Sequence, residues 1–188
     1  MADEATGPYE TNAELDMAKA GDLRDEAALV HEEAENVEDL AESVQKLGGV
    51  ADATRLRAES ERLEAKADDI DRRADLLVDA AGMWREAGDD ERRSAETRTR
   101  ADAAFETAFD LQARINGPMS DDQITEAKIE AARAAAEVTA LRERTDELAH
   151  QAGFDIKLAE TEEAAAGYDR PEVPRPTPEP NPDLLPLE

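Results

Sequence analysis

The stretch Ala53–Trp84, ATRLRAESERLEAKADDIDRRADLLVDAAGMW, decides the fold. Small residues recur at every seventh position: Ala53, Ser60, Ala67, Ala74, Ala81. Three residues after each stands a large apolar one: Leu56, Leu63, Ile70, Leu77, Trp84. This is a five-heptad a/d seam, the pattern that buries one stripe of a helix against another helix. The segment ahead of Gly48-Gly49 repeats it, with Ala20, Ala27, Ala34 and Ala41 small and Leu23, Val30, Val37 and Val44 large. Two such helices joined by a short glycine turn predict an antiparallel hairpin. Alanine lets the backbones approach while the large residues interdigitate.

The pattern continues less regularly toward the C-terminus. A third segment offers Ala101, Ala108 and Ile115 at one seam position and Ala104 and Leu111 at the other, with Phe105 and Phe109 broadening its apolar face. A fourth offers Ile124, Ala131, Val138 and Ala152, interrupted by Thr145, together with Ala127, Ala134, Leu141 and Leu148. Breaks are expected at Gly48-Gly49, Gly88-Asp89-Asp90, Asn116-Gly117-Pro118 and Gly167, and a weaker one at Gly153. Capping-box spacing at Thr11-x-x-Glu14 and Ser120-x-x-Gln123, and Asp89 or Asp90 as a cap, mark helix starts. Pairs such as Asp68→Arg72, Asp69→Arg73, Asp89→Arg93 and Glu96→Arg100 have favourable i, i+4 spacing on exposed faces.

These signals predict an all-α chain of long antiparallel helical hairpins with Ala/Leu heptad seams. The expected architecture is an elongated four-helix bundle or coiled coil with an extended Pro-rich C-terminal tail. The expected boundaries are a flexible arm over 1–10, a helical bundle over 11–167 and a tail over 168–188. Within the bundle, helices are expected at about 12–47, 52–87, 90–116 and 120–152, with a short one at 155–166. No segment shows the period-2 alternation of a strand.

Composition bounds the function classes. The 188 residues carry 48 acidic against 22 basic side chains, a formal charge of −26. That charge opposes nucleic-acid phosphates and anionic membranes and suits basic partners, cations or saline solvent. Only five of the basic residues are lysine, a balance that fits a salt-adapted or high-GC source. With 3% aromatics and an apolar fraction made mostly of alanine, a broad globular core cannot be filled, but a narrow one between helices can. Cysteine is absent, which excludes disulfide frameworks, thiol catalysis and Cys-based zinc sites. No apolar run approaches the ~20 residues of a membrane span, and MADEATGPYE lacks the regions of a secretory signal. A cytoplasmic location, or one within an assembled particle, is expected.

The chemical inventory is thin. There are two histidines, His31 and His150. Glu147-x-x-His150 has the spacing of a di-iron bundle motif, but the seam through Leu141 and Leu148 turns both outward and no second copy exists. His31 sits beside the seam as a flanking surface residue. The acid clusters Asp68-Asp69-x-Asp71 and Ser120-Asp121-Asp122 lack the EF-hand layout. No phosphate loop, nucleophile elbow or dinucleotide fingerprint occurs. The basic stripe Glu91-Arg92-Arg93 and Arg98-x-Arg100 has no interleaved aromatics for nucleic acid. No catalytic residue, metal or cofactor is expected, and the chain is expected not to be an enzyme.

Two features point to partners. Trp84, the one tryptophan, is either a plug in the core or an exposed anchor. The tail holds seven of nine prolines, alternating at Pro174, Pro176, Pro178, Pro180 and Pro182, and ends in Leu184, Leu185, Pro186, Leu187. Such a segment is stiff and extended, rising about 3.1 Å per residue. Its leucines are candidates to enter a partner's groove. The expected function is a non-enzymatic structural or adaptor protein of a larger assembly, such as a virus particle. It would act with protein partners or further copies of itself, with no nucleic acid and no membrane insertion. An acidic module capturing a basic protein is an alternative.

Tyr168-Asp-Arg-Pro-Glu172, just past the last helical segment, resembles the Tyr-x-x-x-Asp/Glu signal of helical-hairpin substrates of type VII secretion systems. The tryptophan turn of those substrates is Trp-x-Gly, whereas this chain has Trp84-Arg-Glu-Ala-Gly88. The resemblance implies a secreted helical hairpin.

Overall fold

The computed structural model describes residues 7–118 and 120–171. The fold is all-α: three long helices, α1 (Pro8–Lys46), α2 (Val50–Ile115) and α3 (Asp121–Ala165), with no strand among the described residues. No helix among them is long and apolar enough to cross a membrane. The chain divides into two compact units. One joins α1 and the first part of α2, through Val78, to the end of α3 from Glu163; the other spans Asp79–Glu162.

The first helix starts inside the expected N-terminal arm. Pro8 occupies the first turn after Gly7, where its fixed φ suits a helix and its missing N–H is not needed. Thr11 is therefore not a cap. It lies within the first turn, and its hydroxyl donates to the Gly7 carbonyl at 3.1 Å. The helix ends in a Schellman motif: Gly49 N–H bonds to Val44 O at 3.0 Å and Gly48 N–H to Gln45 O at 2.9 Å. Gly48 has φ +89°, which an L side chain adopts only with strain. A Cβ on Gly49 would stand 2.8 Å from Val44 Cγ1. Gly49 O then accepts from Ala53 N–H at 3.0 Å, so this residue also opens α2.

The hairpin seam is as expected. Ala20, Ala27, Ala34 and Ala41 on α1 and Ala53, Ser60, Ala67, Ala74 and Ala81 on α2 are all buried. Leu23, Val30, Ile70 and Leu77 join Ala20, Ala27, Ala67 and Ala74 in one apolar cluster, flanked by half-buried Leu63, Leu76 and Val78. The backbones lie close enough for Ser60 Oγ to donate to the Ala34 carbonyl across the seam at 3.0 Å. Antiparallel register is pinned along the edges by Arg57–Glu38 at 3.3 Å and Arg24–Asp75 at 3.1 Å. Being exposed, these pairs set register more than stability. Replacing Ala67, fully buried, with Leu should force the helices apart and cost about 1–3 kcal/mol. Exposed Ala58 should accept Leu without loss. Urea denaturation of the two variants checks this, and equal midpoints would refute the close seam.

The expected break at Gly88-Asp89-Asp90 does not occur, so the second and third predicted helices are one, and the described residues form three helices where four long ones and a short fifth were expected. A single mid-helix glycine costs only about 1 kcal/mol, and no proline accompanies it. Asp89 with Arg92, and Asp90 with Arg93 at 3.2 Å, pair at i, i+3 through the same turn. What changes there is the register of burial. Ala74 and Ala81 are followed by Ala87, Ser94 and Ala101, one residue ahead of the earlier seven-residue repeat. Such a discontinuity rewinds a heptad seam without ending its helix. Gly153 likewise lies within α3, and the expected short helix at 155–166 is the end of α3.

In the second unit, the end of α2 pairs with α3 through buried Ala101, Leu111, Ala127, Ala134, Val138, Leu148 and Ala152. Thr145, the polar interruption of the seam, is buried there too. Its hydroxyl donates to Leu141 O at 2.9 Å, and its carbonyl accepts from Ser94 Oγ at 3.3 Å. The capping box opening α3 forms as expected, with Ser120 N–H on Gln123 Oε1 at 3.1 Å and Gln123 N–H on Ser120 Oγ at 3.4 Å.

Candidate functional site

Charged groups are buried together where α3 ends against the α1–α2 hairpin. A second Schellman motif turns the chain: Tyr168 N–H bonds to Glu163 O at 2.9 Å and Gly167 N–H to Ala164 O at 3.0 Å, with Gly167 at φ +69°. The C-cap carbonyl, Ala166 O, accepts from Arg73 Nε of α2 at 2.7 Å. A guanidinium there complements the negative end of the helix dipole. Arg73 thus serves α3, not the i, i+4 pair with Asp69 expected from spacing; Asp69 pairs with Arg72 instead, at 2.8 Å.

The turn delivers Tyr168 onto the hairpin's apolar cluster and Arg170 beside Glu163, Nε to Oε1 at 3.5 Å. Both charged side chains are nearly enclosed, and Asp16 of α1, fully buried, lies close enough to act on the same phenol. Asp16 occupies a seam position, seven residues before Leu23. Burial raises the Tyr168 phenol above its ordinary value of 10.0; the Asp16 and Glu163 carboxylates push the same way, and Arg170 opposes them. The folded state therefore holds the proton more tightly than the unfolded chain. This contribution to stability is complete below pH 10.0 and is lost as pH rises through the folded value. Tyr168→Phe should flatten the alkaline limb of the stability curve above that pH. Spectrophotometric titration should show a phenol that ionises above its ordinary value of 10.0 in the wild type and is missing in Tyr168→Phe, and a Tyr168→Phe difference spectrum that titrates at the ordinary value would contradict it.

The histidines are not brought together. His31, expected as a flanking surface residue, is half-buried and bridges the hairpin, with Nδ1 2.9 Å from Glu64 Oε2 and Nε2 3.6 Å from Asp71 Oδ2. His150 and Glu147 are exposed, and Glu147 pairs with Arg144 at 2.9 Å. Among the described residues no three His, Asp or Glu side chains converge as metal ligands. A polar recess of about 330 Å³ in the second unit is lined by Glu86, Asp89, Asp90, Arg93, Gln151 and Asp155. Its one buried acid, Asp155, accepts from Gln151 Nε2 at 2.9 Å.

Of the residues singled out for partner binding, Trp84 is 1% exposed and so is a core side chain, not a surface anchor. Pro174, Pro176, Pro178, Leu184, Leu185 and Leu187 lie outside the described residues. The sequence reading missed the surface that stands out most. All three phenylalanines, Phe105, Phe109 and Phe154, are more than half exposed, while alanine fills most buried positions. Leu29, Leu40, Leu47 and Val50 are exposed as well. Phe105 is braced by Arg142 of α3, its guanidinium carbon 5.8 Å from the ring centroid. The signal was present in the sequence: Phe105 and Phe109 fall beside the Ala101–Ala108 seam, not on it. No family model matches the sequence, and no curated protein or solved structure matches it either.

Proposed function

We propose that this chain is a non-enzymatic structural or adaptor protein of a larger assembly, holding protein partners on helical faces and exposed apolar side chains. The observation that carries this reading is the inversion of its apolar content. The three phenylalanine rings stand at the surface, where water contact is costly, while alanine fills most of the buried positions described. A protein surface covering those rings recovers the free energy that the narrow core leaves unused. The Pro-rich segment, with Pro174, Pro176 and Pro178 leading to Leu184, Leu185 and Leu187, is a second docking element in this reading. A virus particle or another symmetric complex is its natural setting. In extracts of the source organism the chain should migrate in a complex far heavier than one chain. Deleting residues 172–188 should release it without loss of helicity. A chain that always migrates alone would sink the proposal.

A second reading follows from Tyr168. The α3 cap fixes this residue on the α1–α2 hairpin, which is where a secretion signal of the type VII kind would be displayed with its hairpin. Loss of export in Tyr168→Ala with retained folding would favour it over the assembly role.

A further inference from the structure

We propose that the α2–α3 hairpin pairs with a second copy of this chain along the flank of α2 that carries Phe105 and Phe109. The inference rests on the assembly reading above and gives one of its surfaces an occupant. Phe105 and Phe109 are one helical turn apart, 51% and 66% exposed, and with Glu106 and Asp110 they line a shallow recess of about 300 Å³. Around the α2 axis each acid follows its phenylalanine by one residue, about 100°, on the side away from α3. Arg142 flanks Phe105 from α3. The order across the flank is therefore guanidinium, aromatic row, carboxylates.

Among the described residues, Arg142, Glu106 and Asp110 enter no ion pair. Nearby Arg93 and Arg144 are both paired, with Asp90 and Glu147. A surface with unpaired charges of opposite sign on either side of an apolar row is complementary to itself. Turned by a twofold axis through that row, each copy sets its Arg142 opposite the other's Glu106 and Asp110, as an isologous interface requires. This sign pattern selects a second copy over a uniformly basic partner, which Arg142 would repel. Pairing also completes a packing unit: two hairpins make a four-helix bundle, the arrangement in which such seams are normally enclosed. Two rings per copy bury less than the roughly 1,200 Å² of a standard interface, so the dimer is weak and reversible. The charge of −26 on each copy opposes it further, and salt should strengthen it by shortening the screening length from about 10 Å at 0.1 M to about 3 Å at 1 M.

Sedimentation equilibrium of the purified full-length chain, from micromolar to millimolar concentration at both salt levels, tests this. The wild type should show a monomer–dimer equilibrium that tightens with salt. Phe105→Ala/Phe109→Ala should weaken it about tenfold or more, with an unchanged circular dichroism spectrum. Arg142→Glu should weaken it too, and adding Glu106→Arg should restore it. A monomer at every concentration hands this face to some other protein and overturns the proposal, as does a dimer that the phenylalanine variants leave unmoved. Neither outcome touches the assembly reading, which is measured on native complexes.

Discussion

Arg170→Ala should cost about 3–5 kcal/mol, although Arg170 lies beyond the last helix. Its guanidinium is enclosed beside Glu163, in a cluster that includes fully buried Asp16 and the Tyr168 phenol. Removing it leaves two carboxylates in a site where water cannot replace the lost charge. The loss should appear first as faster amide exchange over residues 163–168, because the end of α3 is held there by its cap and by Arg73. Glu163→Gln combined with Arg170→Met should cost less than the sum of the single changes, since a charge is then no longer stranded. An exposed arginine such as Arg62 should be replaceable at little cost. An Arg170→Ala protein as stable as the wild type would show that the turn after α3 is not part of the first unit.

Trp84→Ala should be of similar size, about 3–5 kcal/mol, because a buried indole is the largest side chain this narrow core contains. Alanine neighbours cannot collapse into the space it leaves. Trp84→Phe should cost less. The wild-type emission should be blue-shifted and resist iodide quenching, since only 1% of the residue is exposed. Red-shifted, readily quenched emission would place Trp84 at the surface and revive the anchor reading.

Much of this fold is legible in the sequence because one repeat governs it. The alanine seam of α1 and α2, the Gly48-Gly49 turn and the Ser120 capping box all follow from local pattern and backbone stereochemistry. The misreading at Gly88 has a physical cause. Glycine followed by two aspartates looks like a helix end, but a phase change in the seam gives the same local irregularity without a break. The N-terminal boundary was misplaced because the capping-box spacing at Thr11-x-x-Glu14 was read as the helix start, whereas Pro8 opens the helix. The buried charges were missed for a related reason. Asp16 falls on the seam, seven residues before Leu23, and becomes visible only when that repeat is followed to its N-terminal end; Glu163 is buried one residue past the position that the Leu141–Leu148 repeat would give, so the heptad does not point to it. Arg170 gives no periodic signal at all, since a capped turn delivers it. The exposed phenylalanines were read as a broader apolar face, because sequence alone does not say whether a third helix covers them.

The close antiparallel register of α1 and α2 underlies the whole first unit. The chain has no cysteine, so nitroxide labels can be placed cleanly by substitution. Arg24 with Asp75, and Glu38 with Arg57, are exposed or nearly so and meet across the hairpin at 3.1 and 3.3 Å. Labels on either pair should give strongly broadened continuous-wave spectra. Labels on Arg24 and Arg57 should not, because Arg57 and Asp75 are separated by about 27 Å along α2 at 1.5 Å per residue. Broadening in both matched pairs and none in the crossed pair is the predicted result; broadening in the crossed pair, or none in the matched ones, would contradict the register and the seam on which the account is built.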